Sequence, residues 1–145
     1  MDKALAILAT VAVGAIVALQ PPVNSQLARH STVLVAAFVS TLIGALVLGG
    51  LVLAAGEVGA VGRALAAPPG YLTGGLMGVV LITVSLVTVR TLGAGGVVAA
   101  TVTGQLVVSL LLDRWGLLGL DESPITVARV VGVVLLVAGT LLVVR

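Results

Sequence analysis

The sequence predicts an all-α integral membrane protein, a bundle of about five transmembrane helices, and three observations carry that prediction. Hydrophobic residues make up 60% of the 145 residues and charged residues 8%, with a mean hydropathy of +1.35. A soluble domain carries about 25% charge, because its surface has to meet water. Second, the seven basic and five acidic side chains fall between apolar segments or at their ends. A charge near the bilayer centre costs roughly 2.5–3.5 kcal/mol even on the lenient insertion scale, so such placement is selective. Third, the apolar segments lack the apolar–polar alternation of a barrel strand, and a helix satisfies its own backbone in hydrocarbon. A crossing uses about 20 residues, so five of them leave only short connections within one transmembrane domain spanning 1–145.

The first expected span covers 4–28. Its apolar run ends at Leu19, about 24 Å at helical rise, so it needs a broken continuation through Gln20-Pro21-Pro22-Val23-Asn24 to complete a crossing. The Met1-Asp2-Lys3 start lacks the net positive charge of a signal peptide and Gln20-Pro21-Pro22 is a poor cleavage context, so the segment reads as a retained span. Arg29, His30 and Ser31 form a tight turn into the second span, 32–55. A small polar stretch with Glu57, Arg63 and Pro68-Pro69-Gly70 leads to the third, 71–89, which stops at Arg90. The fourth, 92–112, opens on Gly93, Gly95 and Gly96. A loop from Asp113 to Pro124 precedes the fifth, 125–144. Arg129, one turn inside that span, has a stem long enough to snorkel to the headgroups.

Five crossings put Lys3, Arg63, Arg114 and Arg129 on one side and Arg29, Arg90 and Arg145 on the other. That near balance gives no usable bias under the positive-inside rule. Either one or two charges or a cellular partner still decide, or copies insert both ways. In the second case, antiparallel pairing builds from one short chain the inverted repeat that many transporters carry internally. Both orientations are the expectation.

Enzyme chemistry finds no support. One His, no Cys and acids confined to loops leave no metal site and no nucleophile–base pair within the spans, and no cofactor motif is present. There is no basic patch interleaved with aromatics, so nucleic acid is not an expected partner. Asp121-Glu122 reads as a helix-flanking acidic pair.

The candidates for chemistry are uncharged polar residues inside the spans. Thr101, Gln105 and Ser109 are spaced by four on the fourth, with Asp113 continuing the series. The Gln105 amide must bond across to another helix or face a wet cavity. Gln20 and Asn24 bracket the double proline, which cannot donate to the carbonyls of Val17 and Ala18. That break either exposes carbonyls beside side-chain amides at a site or ends the helix at the headgroups. Ser40, and Ser85 with Thr88, are weaker, because such hydroxyls usually bond back to their own helix. Gly44, Gly74 with Gly78, and Gly132 with Gly139 predict close helix packing and a dimer.

These residues together resemble a known family. Gln20 with Asn24-Ser25-Gln26-Leu27, Ser40-Thr41-Leu42-Ile43-Gly44, Thr103-Gly104-Gln105-Leu106, Leu112-Asp113-Arg114-Trp115-Gly116-Leu117-Leu118-Gly119, and Arg129 with Gly132 and Gly139 look like the short, roughly five-helix YdcZ-like proteins of the drug/metabolite transporter superfamily. The likeness covers nearly the whole chain in order, although Pro21-Pro22 is less typical. It implies an inner-membrane permease or exporter whose half-size members work as dimers, in opposite orientations or with a sister protein. A more distant similarity, to the small multidrug resistance transporters, fails on chemistry: those use a glutamate in the first helix, and residues 4–28 here hold no acid.

The sequence reading is therefore a small secondary transporter subunit in the lipid of the inner membrane, moving a small neutral or zwitterionic molecule by alternating access. Gln20, Asn24, Ser40, Thr101 and Gln105 are its expected substrate-binding residues. A small anion channel and a membrane assembly subunit without transport are the alternatives from other classes.

Overall fold

The computed structural model describes residues 2–145, and among them there are helices and turns but no strand. The helices are α1 (Lys3–Val17), α2 (Gln20–Arg29), α3 (Val33–Ala54), α4 (Val58–Leu65), α5 (Thr73–Trp115) and α6 (Val127–Val144), with 3-10 turns at Pro69–Leu72 and Leu117–Gly119.

Their ends follow from local chemistry. Thr32 caps α3, its hydroxyl accepting from the Val35 N–H at 3.2 Å. At the far end the Glu57 N–H reaches the Val52 carbonyl and the Gly56 N–H reaches that of Leu53. This is a Schellman closure, and Gly56 takes the left-handed φ of +71° that it requires. Thr126 caps α6 in the same manner as Thr32, accepting from the Arg129 N–H at 3.3 Å. The cap is thus a threonine, and the acidic pair Asp121-Glu122 lies upstream in the loop. At the double proline the chain keeps right-handed helical dihedrals through Ala18 and Leu19, and Pro21 and Pro22 fall in the first turn of α2. Proline is tolerated there because the first-turn N–H groups have no intrahelical acceptor.

The 43-residue α5 is two spans joined at one residue. Gly93, at φ 69° and ψ 170°, is the non-helical residue inside it. An unbroken helix of that length would run about 65 Å, twice the hydrocarbon thickness. Divided at Gly93, it supplies segments 73–92 and 94–115, each of roughly 30 Å. Four stretches are long and apolar enough to cross a membrane, Lys3–Arg29, Val33–Ala54, Pro69–Trp115 and Val127–Val144, and the division at Gly93 brings the segments able to cross to five. The connection expected around Arg90 is therefore a single glycine. The stretch between the second and third spans carries an unforeseen helix, α4, with Val58, Val61 and Leu65 exposed along one face.

The chain divides into two compact units, residues 19–90 and residues 1–18 with 91–145. In the first, α2 packs on the start of α3, and a core of Ala28, Ala36, Ala37 and Leu86 is flanked by Leu27, Val33 and Ile82. Alanines allow backbones to approach where lipid offers no hydrophobic drive between helices. In the second unit, α6 runs back along residues 94–115. Val144 lies beside Gly96, Thr140 touches Thr103, and Arg129 meets Asp113, so one number falls as the other rises. That is an antiparallel hairpin. Large apolar side chains elsewhere point outward, among them Leu8, Ile16, Leu46, Leu53, Leu135 and Leu142. In water such a surface would aggregate; in hydrocarbon it is the ordinary exterior.

The glycines expected to bring helices together do not do so within one chain. A methyl group on Gly44, Gly74, Gly78, Gly132 or Gly139 would meet no atom within 4 Å. The close approach is made by Gly96, where the added carbon would stand 3.4 Å from Val144 Cγ2.

Candidate functional site

The polar side chains of the spans fall into two groups, one in each unit. In residues 94–115 and α6, Thr103 Oγ1 and Thr140 Oγ1 lie 2.7 Å apart, and both also reach the Ala99 carbonyl, at 2.8 and 3.2 Å. This is interhelical glue with every hydroxyl satisfied. At the end of the hairpin the Arg129 guanidinium donates to Asp113 Oδ2 at 3.4 Å, both side chains about one-third exposed. Asp113 also accepts the Ser123 N–H at its backbone carbonyl, at 2.8 Å, which folds the loop back onto the helix end. Arg129 therefore has a protein partner. A shallow cleft of about 420 Å³ lies there, lined by Arg114, Glu122, Ser123, Pro124 and Ile125, and it includes none of the residues expected to bind substrate.

Thr101 and Gln105 sit on the same helical segment but not on its α6 side. Two residues correspond to about 200° of helical turn, so both point away from the Thr103–Thr140 contact. Thr101 is half-buried and Gln105 exposed, and neither makes a hydrogen bond among the described residues. Ser109 instead bonds back to the Leu106 carbonyl at 3.0 Å. Thr10, Thr41 and Thr88 do the same to Ala6, Ala37 and Val84, which satisfies their hydroxyl protons within their own helices.

The second group lies in residues 19–90. Gln20 opens α2 and is exposed. Asn24, one turn on, is 5% exposed, and its Nδ2 is buried with no hydrogen-bond partner. Leaving such a group unmet costs about 1–3 kcal/mol. Ser25 beside it is buried, and its Oγ accepts from Arg90 Nε at 3.3 Å. Leu86 fits into the alanine core one helical turn before Arg90, and that register delivers the guanidinium to α2. Ser85 is buried as well. Ser40 is half-buried, one turn beyond Ala36 on α3, and makes no hydrogen bond among the described residues.

Ser25, Arg90, Thr103 and Thr140 escaped the sequence reading. Arg90 looked like a stop signal because it closes an apolar run. Thr103 and Thr140 were legible in principle, since a short loop makes consecutive spans antiparallel neighbours and counting back from it sets them opposite each other. Among the described residues no three His, Asp or Glu side chains converge on a point that could hold a metal.

Four to five apolar helices able to span a membrane, with charges near their ends, define a multi-pass membrane protein. A model of the family described as "Putative inner membrane exporter, YdcZ" matches residues 5–142, and the chain belongs to that family. No curated protein and no solved structure matches it. The chain is thus a multi-pass protein of the inner membrane and, at the coarse level, a membrane transporter, a description that points away from an enzyme.

Proposed function

We propose that this chain is one subunit of a dimeric secondary carrier that moves a small neutral or zwitterionic molecule by alternating access. The observation that carries the reading is a contrast among polar groups. Thr103 and Thr140 answer each other, whereas Gln105 stands exposed on a span and Asn24 is buried without a partner. Leaving a buried amide unmet costs about 1–3 kcal/mol, and an amide facing hydrocarbon more, so each calls for a group that the described residues do not supply. A second subunit meets Gln105, and a solute passing along the path meets Asn24, with Gln20, Ser40 and Thr101 contributing along it. The near-even division of arginines supports an antiparallel pair, and a sister protein in the opposite orientation serves the same geometry. The glycines that meet nothing within the chain leave room for such close packing.

The absence of cysteine makes the dimer testable, since a single introduced thiol has no native competitor. Gln105→Cys in native membranes oxidised with copper phenanthroline is expected to form a disulfide dimer, while Leu135→Cys, exposed on α6, is not. A monomer band in both sinks the homodimer and leaves the pair with a sister protein. Carrier function is tested by uptake into proteoliposomes from a panel of radiolabelled neutral and zwitterionic solutes. Saturable flux that Gln105→Leu or Asn24→Leu abolishes without loss of folded protein supports the reading. A channel instead gives flux that rises almost linearly with concentration.

A further inference from the structure

Asn24, Ser25 and Arg90 form a cluster whose free hydrogen-bonding capacity is mostly donor. The Asn24 Nδ2 carries two N–H groups and is the buried side-chain polar atom without a partner among the described residues. Ser25 Oγ already accepts from Arg90 Nε, so its own hydroxyl proton remains to be given. Arg90 spends one N–H on that bond, and the terminal nitrogens of its guanidinium fork make no hydrogen bond among the described residues. Arg129 pairs with Asp113, whereas Arg90 makes no ion pair among the described residues. Residues 19–90 hold one acid, Glu57, which lies beyond the far end of α3. The alanines that pack against α2 are near the start of that helix, about 30 Å away along its axis.

A cation beside buried donors, with no acid of its own, is complementary to an oxyanion, and the planar fork matches the two oxygens of a carboxylate. We infer that Asn24, Ser25 and Arg90 are an oxyanion half-site that takes the carboxylate of the transported solute. The inference rests on the carrier reading and narrows it: of neutral and zwitterionic solutes, the half-site selects those that bear a carboxylate. A lipid phosphate shares this chemistry. However, Asn24 and Ser25 are 5% and 8% exposed, inside the protein where a headgroup tethered to two acyl chains does not follow. The exposed guanidinium provides the first contact, and the buried amide gains its missing partner when the solute is enclosed.

The test is calorimetric titration of the full chain in a phosphate-free maltoside detergent with benzoate, benzamide, benzylammonium and a short-chain phosphatidylglycerol. Benzoate is expected to bind at least about tenfold more tightly than the two other aromatic probes, the size of effect that one charge-assisted hydrogen bond produces. Arg90→Gln erases that preference. Arg90→Lys, which keeps the charge and loses the fork, retains part of it. Asn24→Ala weakens benzoate about fivefold or more. Elution volume and helical circular dichroism identify any variant that has lost its fold, and Arg90→Lys serves if Arg90→Gln does. Equal binding of the three aromatic probes, no benzoate binding, indifference to Arg90→Gln, or binding of the phospholipid in place of benzoate overturns the half-site. Saturable proteoliposome flux with no carboxylate preference and no response to Arg90→Gln rejects the half-site and leaves the carrier standing. Absence of any saturable flux rejects the carrier itself.

Discussion

Residues 91–145 set the hydroxyls of Thr103 and Thr140 in contact and hold Asp113 against Arg129, whereas residues 19–90 bury Asn24 with its amide nitrogen unanswered and lean Arg90 on a serine. Both stretches are helical, apolar and poor in charge, so their folding faces the same solvent. The difference lies in whether polar groups are closed pairwise or left open. A closed pair stabilises a helix contact and does nothing else. An open donor raises the energy of the resting state and falls in energy when something arrives to meet it. In the proposed carrier, that contrast places Thr103 and Thr140 in the architecture, and Asn24 and Arg90 in recognition.

Substitutions in either region test whether that contrast is real. Ala36 is completely buried at the α2–α3 contact, and Ala36→Leu forces extra methylenes into a site with no space. A loss of about 1–3 kcal/mol is expected, read as earlier thermal aggregation of the detergent-solubilised chain. Gly116 has a φ of +57°, and an added methyl would stand 2.8 Å from Glu122 Cγ and 3.2 Å from the Leu120 carbonyl oxygen. Gly116→Ala is expected to cost about 1–2 kcal/mol, seen as a lower midpoint in the same melt.

Thr140→Val removes one member of the hydroxyl pair. Interhelical hydrogen bonds in membranes average about 0.6 kcal/mol, so a small stability loss with undiminished transport is expected. Loss of flux in a chain that remains folded would move this pair from glue to path. Asp113→Asn touches a partly exposed ion pair of the kind worth about 0–1 kcal/mol, and it is expected to lower the melt slightly and less so at high salt.

Asn24→Leu comes last. Removing an unpartnered buried amide relieves a desolvation penalty, so stability stays level or rises while uptake disappears. If this variant instead melts early while transporting normally, the two units do not differ and the contrast fails.

Much of the fold was legible because hydrocarbon makes simple demands. Apolar runs separated by charges become helices in either arrangement of the chain, and Thr32, Gly56 and Thr126 stop and start them through bonds to their nearest neighbours. The site was less legible. Asn24 stood out by residue type, but the consequence of its burial depends on Ser25 and on Arg90, which is 65 residues away from Ser25. The glycine pattern leaves its partner unnamed for a related reason. Gly74 and Gly78 have the spacing of a helix contact, yet spacing does not say which helix, if any, comes near.

Residue order alone established the solvent of this protein, its all-helical class, the positions of its charges at the ends of apolar segments and its family resemblance. Those follow from transfer energies and local hydrogen bonds, which depend on residue identity and close neighbours. Helix packing was needed to show that α6 closes Thr103 with Thr140, that Leu86 seats Arg90 against Ser25, and that the Asn24 amide nitrogen is left over among the described residues. Pairing of polar groups in an apolar medium is a question of which distant segments meet, and that information exists only once the helices are packed.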